Sequence, residues 1–216
     1  MRSSMFLLAL FCTWPGYAIA DDTAKPPSSP SAPIVISPIF GKLVMFTLPT
    51  DFTTVYEQPT ADNYIREAVL KGETAEKWSQ MITVTGAKAA PTHPDLSAQY
   101  FAARIAAGFQ KACPKTFSVK PFGQTEISGE DAFVAVASCG KIDASGGDDS
   151  ETALVVAIKS ASAVYTVQWA ERTAANAENL TIDESKWKDR LAKLAPIRLC
   201  AIKPDEKPPY PSCLNK

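Results

Sequence analysis

Apolar positions along this chain follow two rhythms. Leu43-Val44-Met45-Phe46-Thr47-Leu48 is a β-rich run that stops at Pro49, and Phe52 to Gln58 is a second, ended by Pro59. Proline cannot donate to a strand ladder, so each marks a strand end. Asn63 to Leu70 reads as a third strand, although its Arg66-Glu67-Ala68 would also suit a helix; Lys71-Gly72-Glu73 then turns the chain. Trp78 to Thr85 is a fourth, carried by Met81, Ile82 and Val84 among β-branched neighbours.

The period then lengthens. Phe101, Ile105 and Phe109 recur every four residues, Leu96 lies about a turn earlier, and the five alanines from Ala98 to Ala107 favour helix. Pro94 suits a first turn and Cys113-Pro114 marks the stop. The spacing predicts an amphipathic helix whose aromatic stripe covers one face of a sheet. Strands return at Phe117 to Phe122, at Asp131 to Cys139 (small and apolar on both faces, hence central), and as a hairpin of Thr152–Ser160 with Val164–Glu171. In the last of these Tyr165, Val167 and Trp169 share one face, opposite Thr166 and Gln168. A final helix follows: Thr181-Ile182-Asp183-Glu184 fits a capping box, Trp187, Leu191 and Leu194 form one stripe, and Pro196 ends it.

About four strands, a helix, three or four strands and a second helix predict an α+β fold: an antiparallel sheet of about six to eight strands flanked by two main helices. That order, with the turn Leu48-Pro49-Thr50-Asp51-Phe52, resembles the PsbP/DcrB-type α/β/α sandwich over about Leu43 to Pro196. Gly72-Glu73-Thr74-Ala75-Glu76-Lys77-Trp78-Ser79-Gln80-Met81 is similar to a run found in exported bacterial proteins of unassigned function. The fold group has no shared active site, and the resemblance implies a binding or accessory role rather than catalysis.

The two ends of the chain read differently from its middle. Arg2, the apolar run Met5 to Cys12, the break at Pro15-Gly16 and the small-x-small Ala18-Ile19-Ala20 form a signal peptide over residues 1–20. The run is too short to span a membrane, which takes about 20 apolar residues. Cleavage between Ala20 and Asp21 removes 20 of the 216 residues and leaves 196. Residues 21–33 are a Pro/Ser-rich linker that cannot bury enough apolar surface to order itself. Residues 34–200 read as a single globular domain, followed by a proline-rich tail at 201–216. The expectation is a periplasmic or secreted protein with no membrane span in its mature chain.

Cysteine usage agrees with export. Cys12 leaves with the signal, and Cys113, Cys139, Cys200 and Cys213 remain, an even number that reads as two disulfides. Of the three pairings, Cys113–Cys139 and Cys200–Cys213 join nearest neighbours, the second stapling the tail. No CxxC is present, so a metal site built on these thiolates is not expected.

Composition narrows the function by exclusion. Hydrophobic residues make up 46% and charged residues 21%, as in an ordinary globular protein. Without Arg2 the chain holds 21 basic and 23 acidic residues, a near-neutral balance that gives nucleic acid no electrostatic footprint. The one histidine, His93, sits between Thr92 and Pro94 and reads as a loop residue; no Gly-x-Ser-x-Gly elbow and no phosphate loop occurs. The loop Asp143 to Ser150 carries Asp143, Asp148 and Asp149 without the periodic spacing of a calcium loop. No cofactor, metal or catalytic residue is expected. Glu57, Glu67, Glu73, Glu171 and Glu178 are the carboxylates that a hydrolase would have to pair. The candidate binding surface is an aromatic floor of Trp78, with Glu73 and Gln80 near it, and Trp169, with Gln168, Glu171 and Arg172 near it, and Arg66 or Arg104 as a polar handle. These features favour an exported, non-enzymatic interaction domain whose partner is another exported or envelope protein. A carrier of a small apolar ligand and a carboxylate-dependent hydrolase are the alternatives. Secretion from the native host should yield a mature chain beginning at Asp21; intact-mass and N-terminal sequencing read this directly.

Overall fold

The computed structural model describes residues 32–88, 96–141 and 148–215. The expected signal peptide with Ala20 and Asp21, most of the Pro/Ser linker, His93 and the loop around Asp143 lie outside the described residues.

Seven strands form the main sheet. In chain order they are β3 (Phe52–Pro59), β4 (Asn63–Leu70), β5 (Gln80–Lys88), β6 (Phe117–Ile127), β7 (Glu130–Cys139), β8 (Asp149–Lys159) and β9 (Ala163–Ala174). They lie side by side as β3-β4-β5-β9-β8-β7-β6, and every pairing is antiparallel. Two meanders, β3-β4-β5 and β6-β7-β8-β9, are thus zipped together by the β5–β9 ladder, which runs in register from Gln80↔Glu171 to Lys88↔Ala163. The Arg66-Glu67-Ala68 stretch is strand, because β4 pairs on both sides.

Helix α1 (Ala98–Ala112) connects the two meanders and packs on β6, β7 and β8. Its fully buried face is Ala98 and Ala102, set against Phe133, Ala135 and Ala157. This corrects the expectation that Phe101, Ile105 and Phe109 would face the sheet: small alanines let the helix backbone sit close, which rotates the aromatic stripe to a half-buried flank. The helix is tied to β7 at both ends. Asp131 Oδ2 accepts from the Ala98 N–H at 2.7 Å, at the positive end of the helix dipole. Cys113, the C-cap, is bonded to Cys139, the last residue of β7, with Cα atoms 5.7 Å apart.

The opposite face of the sheet is covered by two elements. One is helix α2 (Glu184–Leu194), which buries Trp187 and Leu194. Its N-cap is Asp183, whose carboxylate accepts from the Ser185 and Lys186 N–H groups, not Thr181. Glu184 reaches sideways to Lys120 and Lys188 instead of back to a cap, and these two ammonium groups hold its carboxyl down at about 2. The other is a small antiparallel sheet, β1 (Ile34–Ile39), β2 (Lys42–Thr47) and β10 (Arg198–Ala201), in the order β1-β2-β10. Sequence patterning found β2 but not β1 or β10, which are short and flank a tight turn and a proline. The main core lies between the two sheets and α2, around Val44, Phe46, Ile82, Leu154, Tyr165, Trp169 and Leu199.

The proline-rich tail folds back over the outer face of the small sheet. Cys200 is bonded to Cys213, and these two pack with Leu43 and Met45 beside Tyr210 and Leu214. Arg198 Nη1 donates to the carbonyls of Cys213 and Leu214, holding the short helix α3 (Pro211–Leu214) in place.

Each bridge closes a loop and contributes about 3 kcal/mol in the chain-entropy model. Reduction should therefore lower the melting temperature of the mature protein by several degrees. A thermal melt with and without reductant checks this, and coincident melts would contradict it.

Candidate functional site

Period-2 alternation decides which residues can meet. On β9, Tyr165, Val167, Trp169 and Glu171 point toward α2, while Thr166, Gln168, Ala170 and Arg172 point toward the α1 side. Trp169 is 2% exposed. Its ring meets the edge of Phe52 at 5.2 Å, its Nε1–H donates to Gln80 Oε1, and the Arg190 guanidinium lies 4.8 Å from its centroid. Arg190 also donates to Glu171 Oε1 at 2.7 Å. Trp169 and Gln80 are therefore part of the α2 docking surface. Arg66 is on the same side of the sheet, donating to Thr54 and Ser37, and Arg104 is exposed on α1. The expected grouping of Trp78 with Trp169, Gln80 and the two arginines does not form.

Trp78 and Glu73 do come together. They belong to the connection from β4 to β5, which leaves the sheet through Gly72, at φ 91°, where a side chain would be strained. Glu73 accepts from the Ser79 hydroxyl at 2.6 Å and the Ser79 N–H at 3.0 Å. Against the opposing effect of burial, these bonds hold its carboxyl below the ordinary range. The loop so closed lays Trp78 against the sheet. The Arg172 guanidinium stacks 3.8 Å from the Trp78 ring and pairs with Glu151 at 3.0 Å. Stacking and pairing together fix the orientation of a planar guanidinium.

A groove opens between this loop, the flank of α1 and the sheet face. Its inner part is a cavity of about 340 Å³ with Met81, Ala153 and Ala170 on the floor and Phe109 and Trp78 on opposite walls. Glu67, Thr83 and Gln168 form one cross-strand row along it, since Glu67 pairs with Thr83 and Thr83 with Gln168. An outer cavity of about 490 Å³ continues past Trp78 and Arg172 to Glu73, Glu76, Lys77 and Asp149. The rims of the two carry five carboxylates and two cationic side chains.

Glu67 stands apart among these carboxylates. Burial pushes its carboxyl above the ordinary value, and it has no hydrogen-bond or ion-pair partner among the described residues. Glu151 is held in the ion pair with Arg172. Glu67 and Glu151 lie on β4 and β8, three strands apart, about 14 Å across the sheet at the usual spacing, and Glu151 is also four residues along β8 from Val155, which shares the Glu67 row. That separation is too wide for the facing acid and base of a carboxylate hydrolase. Sequence reasoning named Glu67 only as one of several carboxylates, set Arg172 beside Trp169 where the structure stacks it on Trp78, and missed Glu151 and Phe109 as groove residues. The signal for Arg172 was present: Thr166, Gln168 and Arg172 put polar groups on the strand face opposite Tyr165, Val167 and Trp169, as a half-covered face would.

The raised Glu67 carboxyl has a consequence for stability. The folded chain keeps this proton to higher pH than the unfolded chain does, so the associated stability is present at acid pH and lost as pH rises through the folded value. Glu67→Gln mimics the protonated form. It should melt above the parent protein at pH 7, with the difference closing below about pH 4, where both side chains are neutral. Paired melts across pH check the sign.

No family model matches the sequence, and no curated protein matches it. Among solved structures, a Bacteroides thetaiotaomicron protein at 1.50 Å resolution aligns with 82% of this chain at 11% identity and a TM-score of 0.40. The alignment covers 51% of that protein, so this chain spans about half its length. LpqN of Mycobacterium tuberculosis, involved in cell envelope biogenesis, aligns over 77% of this chain and 91% of its own at 13% identity and a TM-score of 0.34. Likenesses this distant assign the chain neither a family nor a function.

Proposed function

We propose that the mature protein is an exported, non-enzymatic interaction domain that holds a segment of an envelope protein in the groove between α1 and the β4–β5–β9 face. The carrying observation is the groove itself. It has an apolar floor at Met81, Ala153 and Ala170, aromatic walls at Trp78 and Phe109, and a few placed polar groups, the usual make-up of a binding site. Two disulfides suit an oxidising compartment, and the signal-like residues 1–20 supply a route to it. The resemblance to PsbP/DcrB-type sandwiches leans toward an accessory role.

The carrier reading draws on the same floor, but charged Glu67, Glu151 and Arg172 suit a wholly apolar ligand poorly. The hydrolase reading needs a converging carboxylate pair, and Glu67 and Glu151, the two carboxylates of the inner cavity, stand too far apart to form one.

A photo-crosslinking amino acid at Glu76, exposed on the rim of the outer cavity, should capture one stoichiometric polypeptide in the native envelope, whereas the same residue at Val119, an exposed β6 position, should not. Solvent-extractable lipid in place of a protein adduct would favour the carrier. Turnover of an envelope substrate by the purified protein, abolished by Glu67→Gln, would overturn the non-enzymatic reading.

A further inference from the structure

The polar groups of the groove are unequally engaged. Arg172 is fixed by Glu151 and Trp78, and Glu73 by Ser79. Three groups in the inner cavity remain as acceptors, all in one row across β4, β5 and β9. The Glu67 carboxylate and the Thr83 hydroxyl have no hydrogen-bond partner among the described residues. Gln168 donates its amide N–H to Thr166 Oγ1 at 2.9 Å, which leaves its carbonyl oxygen to accept. A carboxylate, a hydroxyl and an amide carbonyl match the three donors of an ammonium group. They do not present the paired acceptors that a planar guanidinium prefers. The next row along the sheet is Met81 and Ala170, a floor for an aliphatic stem. Carboxylates outnumber cationic groups around the two cavities by five to two, which favours a cationic guest.

We infer that the groove recognises a lysine side chain of the partner polypeptide, its ammonium held by Glu67, Thr83 and Gln168 and its methylenes lying on Met81 and Ala170. The inference rests on the groove being the interaction site and adds the chemistry of what enters it. Desolvation of the half-buried Glu67 carboxylate, unfavourable in the empty groove, is offset when the ammonium arrives.

The test uses two probes that differ in the ammonium group alone: N-acetyl-lysine N-methylamide and its norleucine counterpart. Each is titrated into isotope-labelled mature protein while the Met81 methyl and Trp78 indole resonances are followed. The lysine probe should shift both resonances saturably and bind about tenfold more tightly than the norleucine probe, a factor worth about 1.4 kcal/mol. Glu67→Gln, which retains shape and should fold at least as well, should bring the two probes level. Thr83→Val should weaken the lysine probe without affecting the norleucine probe. Equal binding of the two probes to the parent protein would overturn the lysine inference while leaving the groove as the interaction site. Unchanged discrimination in Glu67→Gln would also overturn it. If neither probe shifts the groove resonances the lysine inference fails, and the Glu76 cross-link decides separately whether the groove is the interaction site.

Discussion

The ladder between β5 and β9 is the constraint on which the rest of the architecture depends. It joins two meanders that are each local in sequence, and it places β5 third among the seven strands while the next strand, β6, lies at the far edge. The chain must pass β9, β8 and β7 to connect them, and α1 lies within that connection, running along β7. Once the helix is tied to Asp131 at the start of β7 and to Cys139 at its end, it is confined to the β6–β8 half. The groove over β4, β5 and β9 is therefore a product of connectivity. A longer helix, or one anchored at only one end, would be free to lie across it.

The two faces of the sheet are held by different physics. On the α2 side the packing is dense and aromatic, with Tyr165 and Trp169 buried and Arg190 both stacking on Trp169 and pairing with Glu171. On the α1 side the central contact is Ala98 and Ala102 against Phe133, Ala135 and Ala157, with polar rows of Thr85 and Thr166 and of Thr83 and Gln168 beyond the helix flank. Small residues bring a helix close but cover little area, so the sheet beside α1 stays accessible.

Most of the main sheet was legible because prolines, glycine turns and β-branched runs bounded its strands locally. The same signals fail for β1, β10 and α3, which owe their conformation to the second sheet and to the Cys200–Cys213 bridge rather than to their own residues. The cysteine pairing was readable from chain proximity. The candidate site was half readable. Trp78 and Glu73 meet because they are neighbours on one loop. Trp169 was misplaced because its side of the sheet depends on strand parity relative to a distant helix. Glu67 could not be singled out, since its isolation depends on what Thr83, Gln168 and Arg172 do with their own polar groups. The direction of the aromatic stripe on α1 was lost for a related reason: periodicity finds a stripe, but the close approach permitted by Ala98 and Ala102 decides which stripe is central.

The distribution of tryptophans gives the groove an optical signature. Trp169 and Trp187 are 2% and 3% exposed, deep in the core, while Trp78 is half-buried under a guanidinium at the groove wall. The long-wavelength, solvent-sensitive part of the emission of the folded domain therefore originates largely from one indole. Whatever enters beside Trp78 must displace water from that ring or disturb its stack with Arg172, so the protein carries an intrinsic fluorophore at its candidate site.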